Sequence, residues 1–512
     1  MINRILTVGG ITLVSRATGF LRDIMLAAVL GAGPVADAFF VALRLPNHFR
    51  AIFAEGAFNA AFIPAYARVR GSRGEQSVRL FSDHVFTLLL ATQIVLLAAA
   101  LLFTPAVIDL LAPGFSKDPT RFELAVELTR ITFPYLLLVS LVTLYGGILN
   151  ALDRFAAAAA APILLNLSMM MTLALAAFFP TAGHAAAWGV LLAGILEALL
   201  VAGDASRQGV LPRLSWPKFD AEVMTFLKRF GPATIGSAGT QIALFADTII
   251  ASFLATGALS ALYYADRLNQ LPIGVIGIAA GTVLLPEMAR RITAGDEAGA
   301  RYSQNRAVEF TLLLSVPCLI AFLIVPDLIM KALFRHGAFT DADAHAAAMT
   351  LVAYSIGLLP FVLMRSASVT FLSRGDTTTP VKALFASVIV NVALKILLMD
   401  RYAQVGLAFA TSIGVWINFV LLVWFASRRN LLGLDRRLLE STAKFAAAGV
   451  ALTAALLLCE RPVGALFAQW TSLRDLATLC VLGAIGLVVY GGVLLALLGR
   501  QWLAMVRRMT GS

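Results

Sequence analysis

Charge is what this sequence has least of. Only 13% of its 512 residues are Asp, Glu, Lys or Arg, about half the fraction found in an ordinary soluble domain. No polar stretch is long enough to form a separate soluble domain, so one membrane bundle is expected. Cysteine is nearly absent: Cys318, Cys459 and Cys480 all fall in apolar runs, with no CxxC and no Cys/His cluster. Neither a disulfide framework nor a zinc site is expected from them. The five histidines, His48, His84, His184, His336 and His345, are scattered. The chain has no GxxxxGK[ST], so it carries no ATP-driving P-loop. It also lacks HExxH, carboxylates at metal-ligand spacing and a nucleophile with a paired base. The reading is therefore a non-enzyme without a metal or cofactor. Arg16 and Arg22 interrupt the first apolar run, and no small-residue cleavage site closes it, so that run reads as a retained helix and not a cleavable signal.

What is present is hydrophobicity. Apolar residues make up 60% of the chain, and the mean hydropathy is +0.86. Runs of roughly 20 apolar residues, each able to span about 30 Å of hydrocarbon, recur along the whole length. The fold class is an all-α polytopic membrane protein with about 14 transmembrane helices. They are expected near 5–30, 35–65, 80–107, 125–150, 156–179, 184–205, 224–254, 259–288, 307–333, 344–371, 379–399, 403–426, 441–460 and 476–498. The net charge of +11 would suggest nucleic acid in a soluble protein. Here most of the basic residues fall in loops on one side of the membrane. The positive-inside bias places that side, with both termini, in the cytoplasm, and no nucleic-acid partner is expected.

The sequence also repeats. Leu30-Gly31-Ala32-Gly33 followed by Ala38-Phe39-Phe40 matches Leu254-Ala255-Thr256-Gly257 followed by Leu262-Tyr263-Tyr264, about 224 residues later. Leu45-Pro46 through Phe62-Ile63-Pro64 matches Leu271-Pro272 through Leu285-Pro286, and Asp23 falls opposite Asp247. A repeat of six spans keeps both halves in the same orientation. The expected organisation is an N-terminal lobe at 1–208, a C-terminal lobe at 209–430 and a helix pair with tail at 431–512. The two six-helix lobes would flank a central cavity.

Charges inside the spans carry the functional signal. Arg16, Arg22, Arg44, Arg50 and Arg267 lie in apolar runs, and each would cost roughly 2.5–3.5 kcal/mol at the bilayer centre. Arginine cannot deprotonate to escape that cost. Arg22–Asp23 and Asp266–Arg267 are neighbours in sequence and project about 100° apart on a helix, so pairing is expected to cross between helices or to be completed by a ligand. Five acids, Asp23, Asp37, Glu55, Asp247 and Asp266, balance the five arginines. An interhelical salt-bridge network therefore competes with an anion site. A bidentate clamp on phosphate is what guanidinium does best, which favours a pyrophosphate headgroup. Asp247 is a candidate coupling-ion or proton site, with pairing to an arginine as its alternative. Arg365, inside the tenth span, is open between a cavity role and none. Arg130 and Lys395 lie near span ends and are expected to snorkel.

These same residues carry a resemblance. Ser15-Arg16 with Gly19-Phe20-Leu21-Arg22-Asp23 resembles the first helix of the MurJ (MviN) lipid II flippase family, of the MOP exporter superfamily. So do Gly31-Ala32-Gly33 with Asp37-Ala38-Phe39-Phe40, Leu45-Pro46-Asn47 and Phe53-Ala54-Glu55-Gly56-Ala57-Phe58. Leu111-Ala112-Pro113-Gly114-Phe115, Tyr263 through Leu268 and Leu333 through Thr340 extend it over nearly the full chain. The resemblance implies a flippase that carries lipid II, the undecaprenyl-pyrophosphate-linked peptidoglycan precursor, across the bacterial cytoplasmic membrane by alternating access. It implies substrate binding by Arg16, Arg22, Asp37, Arg50, Glu55 and Arg267. Asp23, Arg44 and Asp247 are candidates for coupling or accessory roles. The implied partners are lipid II, membrane lipids, a coupling ion (Na+ or H+) or the membrane potential, and cell-wall synthesis proteins. A flippase for another polyprenyl-linked glycan, a MATE-like antiporter, a membrane enzyme acting on polyprenyl phosphates and a non-transporting scaffold stand as alternatives.

Overall fold

The computed structural model describes residues 2–51, 57–470 and 473–498, and all the regular structure among them is helical. The helices are α1 (Ile2–Leu30), α2 (Pro34–Phe49), α3 (Ala57–Leu102), α4 (Thr104–Leu111), α5 (Pro119–Thr132), α6 (Pro134–Ala151), α7 (Ala156–Ala174), α8 (Ala182–Arg207) and α9 (Ala221–Ser252). There follow α10 (Ala258–Pro272), α11 (Ile278–Thr293), α12 (Glu297–Ile324), α13 (Pro326–Phe334), α14 (Asp341–Ser355), α15 (Leu358–Leu372), α16 (Thr378–Arg428), α17 (Arg436–Leu466) and α18 (Arg474–Leu498). Starts are set by side-chain oxygens: Asp118, Thr181, Asp220, Asp296, Thr340 and Asp435 each accept a hydrogen bond from a first-turn N–H, the usual way to satisfy a helix's orphan donors. Two long helices are interrupted by non-helical residues, α3 at Gly74 and α16 at Ala403.

Among the described residues, nine helical stretches are long and apolar enough to cross a bilayer. Helices α1, α2, α9 and α10 fall outside those nine, and they carry most of the charges singled out above. Apolar side chains that a water-soluble protein would cover stand exposed, such as Leu458 at 75% and Leu487 at 75%. In a membrane protein this surface faces lipid tails.

The chain divides into two compact units: Met1–Ser260 with Gly337–Phe339, and Ala261–His336 with Thr340–Ser512. This division follows contacts and groups α9 with the first unit, whereas the internal repeat places the same segment at the head of the second half.

In the first unit, α9 packs on α3, α3 on α6, and α1 and α8 on α7. Edge-on aromatic contacts knit α3 to α9: the Phe226 ring lies 5.6 Å from Phe58 and 6.1 Å from Phe62. Two family motifs have steric jobs here. A β-carbon at Gly114 would lie 2.3 Å from the Ser252 carbonyl oxygen, and the Gly114 N–H donates to Ser252 Oγ at 3.0 Å. Gly337 (φ +59°) would bring a β-carbon to 2.2 Å from the Ala28 carbonyl oxygen, and the neighbouring Ala338 N–H bonds that oxygen at 2.7 Å. Only glycine permits these approaches.

In the second unit, α17 and α18 pack on each other and α17 packs on α12, through Leu313, Phe445, Leu452 and Leu482. The Tyr490 hydroxyl donates to the Leu313 carbonyl at 3.1 Å. Glu309, 1% exposed, is held by Arg306, Arg437 and the Ser441 hydroxyl, and Arg306 also pairs with Asp435. Lys395 departs from expectation: it is 2% exposed, so it is enclosed inside the unit and does not snorkel. Position near a span end was a poor guide because the hairpin of α16 folds the helix against its own second half.

Asp376, in the loop between α15 and α16, accepts from the Thr379 hydroxyl at 2.6 Å, from the Thr379 N–H at 3.0 Å and from Arg429 at 2.6 Å. These donors hold its carboxyl well below the usual carboxylate range. A carboxyl depressed in the folded state stabilises the fold above its unfolded pKa and loses that contribution as pH falls through the folded value. Asp376→Asn should therefore lower the melting temperature in detergent at pH 7, and the gap to wild type should close as the buffer is taken below pH 3.8. A gap independent of pH would contradict this.

Candidate functional site

Helix α1 carries Arg16 and Arg22 in different surroundings. Arg22 is 9% exposed and Asp23 4% exposed, and they pair directly, with Nη2 2.7 Å from Asp23 Oδ1 and Nε at 3.2 Å. This corrects the expectation that neighbours on a helix diverge too far to meet. The 100° applies to the β-carbons, while the arginine stem is long enough to curl back. Arg22 Nη1 donates to Asn166 Oδ1 on α7 at 3.0 Å. The Asn166 amide in turn donates to the Ser15 carbonyl and to Thr18 Oγ1, both at 3.0 Å. Arg16 is different: it is exposed, and among the described residues it has neither hydrogen bond nor ion pair.

Asp37 is 0% exposed and has a structural job. It accepts from the Gly257 N–H at 2.8 Å, the Ser260 N–H at 3.1 Å and the Ser260 hydroxyl at 2.7 Å, and it faces Arg121 at 3.5 Å. Arg121 stacks over Phe115 at 4.2 Å. Both of its oxygens are engaged within the first unit, so in this structure Asp37 holds backbone and Arg121 in place. Glu55 lies outside the described residues.

Arg44, His48 and Asp247 meet between α2 and α9. Arg44 Nη1 donates to Thr248 Oγ1 at 3.1 Å, and His48 Nδ1 lies 3.0 Å from Gln241 Oε1. The charges of Arg44 and Asp247 both bear on the His48 ring. Arg50 lines a cavity of about 190 Å³ within the first unit, whose polar lining residues include Asn59, Tyr135, Asn150 and Glu197. In the second unit, Arg267 lies over the Tyr263 ring at 4.8 Å.

A family model described as lipid II flippase MurJ matches residues 26–472. The chain belongs to the MurJ family. A protein named probable lipid II flippase MurJ from Rhizobium meliloti is 39% identical over 99% of this chain and 96% of its own length. One of the same name from Vibrio cholerae is 34% identical, covering 96% of this chain and 95% of its own. In fold, the chain is similar to a solved MurJ structure in an inward closed conformation, with TM-score 0.80 and 23% identity over 96% of this chain and 98% of that one. It also resembles an inward-facing MATE multidrug transporter of the MOP superfamily, with TM-score 0.68 and 16% identity over 83% of this chain and 98% of that one.

Within this MurJ-family chain, sequence reasoning passed over Asn166 and Glu197. A neutral amide among apolar residues gives no signal in a charge count. Glu197, 3% exposed, did leave one, as an acid well inside the sixth expected span. Asn166→Ala should leave part of the Arg22 head group unsatisfied and destabilise the protein by about 1–3 kcal/mol, read as a lower melting temperature in detergent. Asp37→Ala strands a buried guanidinium and should cost about 3–5 kcal/mol. A wild-type melting temperature for Asp37→Ala would refute the structural role.

Proposed function

We propose that this protein is a flippase, not an enzyme. It carries lipid II from the cytoplasmic to the outer leaflet of the bacterial cytoplasmic membrane by alternating access. The observation that carries the reading is Arg16: a permanent cation, exposed on an apolar helix and unpartnered among the described residues. A charge there is unfavourable against hydrocarbon and is well used if a phosphate docks on it. Six positions further along the same helix, Arg22 is held in place by Asp23 and Asn166, so its orientation is set before any ligand arrives. Arg50 and Arg267 complete the proposed set of phosphate-facing arginines. Asp37 is left out of it, and Asp23 serves to hold Arg22.

Both termini are placed in the cytoplasm by the positive-inside bias. The return step is biased by the membrane potential or by a Na+ or H+ gradient, for which Asp247, beside His48 and Arg44, is the proposed accessory group. The MATE-like fold alone does not favour drug export, because the charge exposed on α1 among the described residues, Arg16, is cationic.

Arg16→Ala and Arg267→Ala should each abolish export of lipid II in cells depleted of the endogenous flippase, scored with a probe for externally exposed lipid II, while the variants accumulate in the membrane at normal levels. Normal export by both variants would sink the assignment. Export of a different polyprenyl-linked glycan, with none of lipid II, would redirect it.

A further inference from the structure

Arg365 sits at the middle of α15 (Leu358–Leu372), in a stretch, Asp341–Leu372, apolar enough to cross a membrane. Its side chain is exposed, and among the described residues it makes no hydrogen bond and no ion pair. Other arginines of the same unit do have carboxylates: Arg306 has Glu309 and Asp435, Arg335 has Asp341 and Asp475, Arg374 has Glu297, and Arg429 has Asp376.

What holds Arg365 is a close approach of backbone. The chain between α10 and α11 forms a π-turn, Ile273–Gly277. A β-carbon added at Gly277 would lie 3.1 Å from Arg365 Cδ and 3.3 Å from its Nε. Val362, one turn earlier on α15 and 0% exposed, packs on the same glycine. Single π-turns inside helices recur at functional sites. Here the turn and the missing side chain let the arginine stem lie against the neighbouring helix, which fixes the stem without neutralising the head. A guanidinium cannot discharge and is costly against hydrocarbon, so a fixed, unneutralised one inside a span calls for an anion or water.

We propose that Arg365 is a further binding residue for a phosphate ester, the diphosphate of the transported lipid, with its stem steered by the π-turn at Gly277. This rests on the flippase reading above and adds a residue from α15 to it. The same chemistry could come from the phosphate of an anionic phospholipid, and the test separates the two.

Full-length protein in nanodiscs, with and without phosphatidylglycerol, would be titrated with lipid II, and co-purified phospholipid counted by mass spectrometry. Arg365→Gln should weaken lipid II binding about tenfold or more in both membranes, the scale of losing a charge-assisted hydrogen-bonded contact. Arg365→Lys should recover part of that loss. Gly277→Ala should weaken binding with Arg365 intact and change nothing further in the Arg365→Gln background, a coupling that a merely structural role would not produce. Wild-type lipid II affinity in both Arg365→Gln and Arg365→Lys would overturn the proposal. So would a loss confined to bound phosphatidylglycerol. If wild-type protein itself fails to bind lipid II, the flippase reading falls and this inference falls with it.

Discussion

A guanidinium cannot give up its proton, and a membrane interior will not solvate it. Much of this structure follows from that one constraint. Arg121 is enclosed with Asp37 and the Phe115 ring. Arg22 is enclosed with Asp23 and Asn166. Arg306 shares Glu309 and Asp435. Each arrangement ties together segments far apart in the chain, so the need to satisfy a cation becomes a constraint on tertiary structure.

The charges thereby sort into two kinds. Those with every partner in place act as fasteners, and Asp37 is the clearest, with the backbone of Gly257 and Ser260 hung on its two oxygens. Arg16 and Arg365 have exposed heads without protein partners among the described residues. Binding that develops only where a ligand supplies the missing anion is how a transporter distinguishes its loaded from its empty state. The fasteners make this workable, because a loosely held arginine would spend much of its interaction energy on being ordered.

Some of this was legible in the sequence, for local reasons. The motifs Leu111–Phe115 and Leu333–Thr340 stood out as family marks, and their glycines turn out to sit where backbone meets backbone, against Ser252 and Ala28. The intramembrane arginines stood out because a charge in an apolar run is conspicuous. Their pairing was misjudged at Arg22–Asp23, where β-carbon directions were used in place of the reach of the side chain. Lys395 was misjudged too, because distance from a span end says nothing about whether a second helix lies across it.

Membrane class, helical content and the family's motif pattern were determined by the sequence alone, since hydropathy and motif spacing are sums over neighbouring residues. Which charges are paired within the fold and which keep an exposed head was decided only in three dimensions. Residues 22 and 166, 37 and 257, and 44 and 248 meet through packing. The electrostatic energy of a pair depends on that separation in space and on the surrounding dielectric, neither of which is written in the order of the chain.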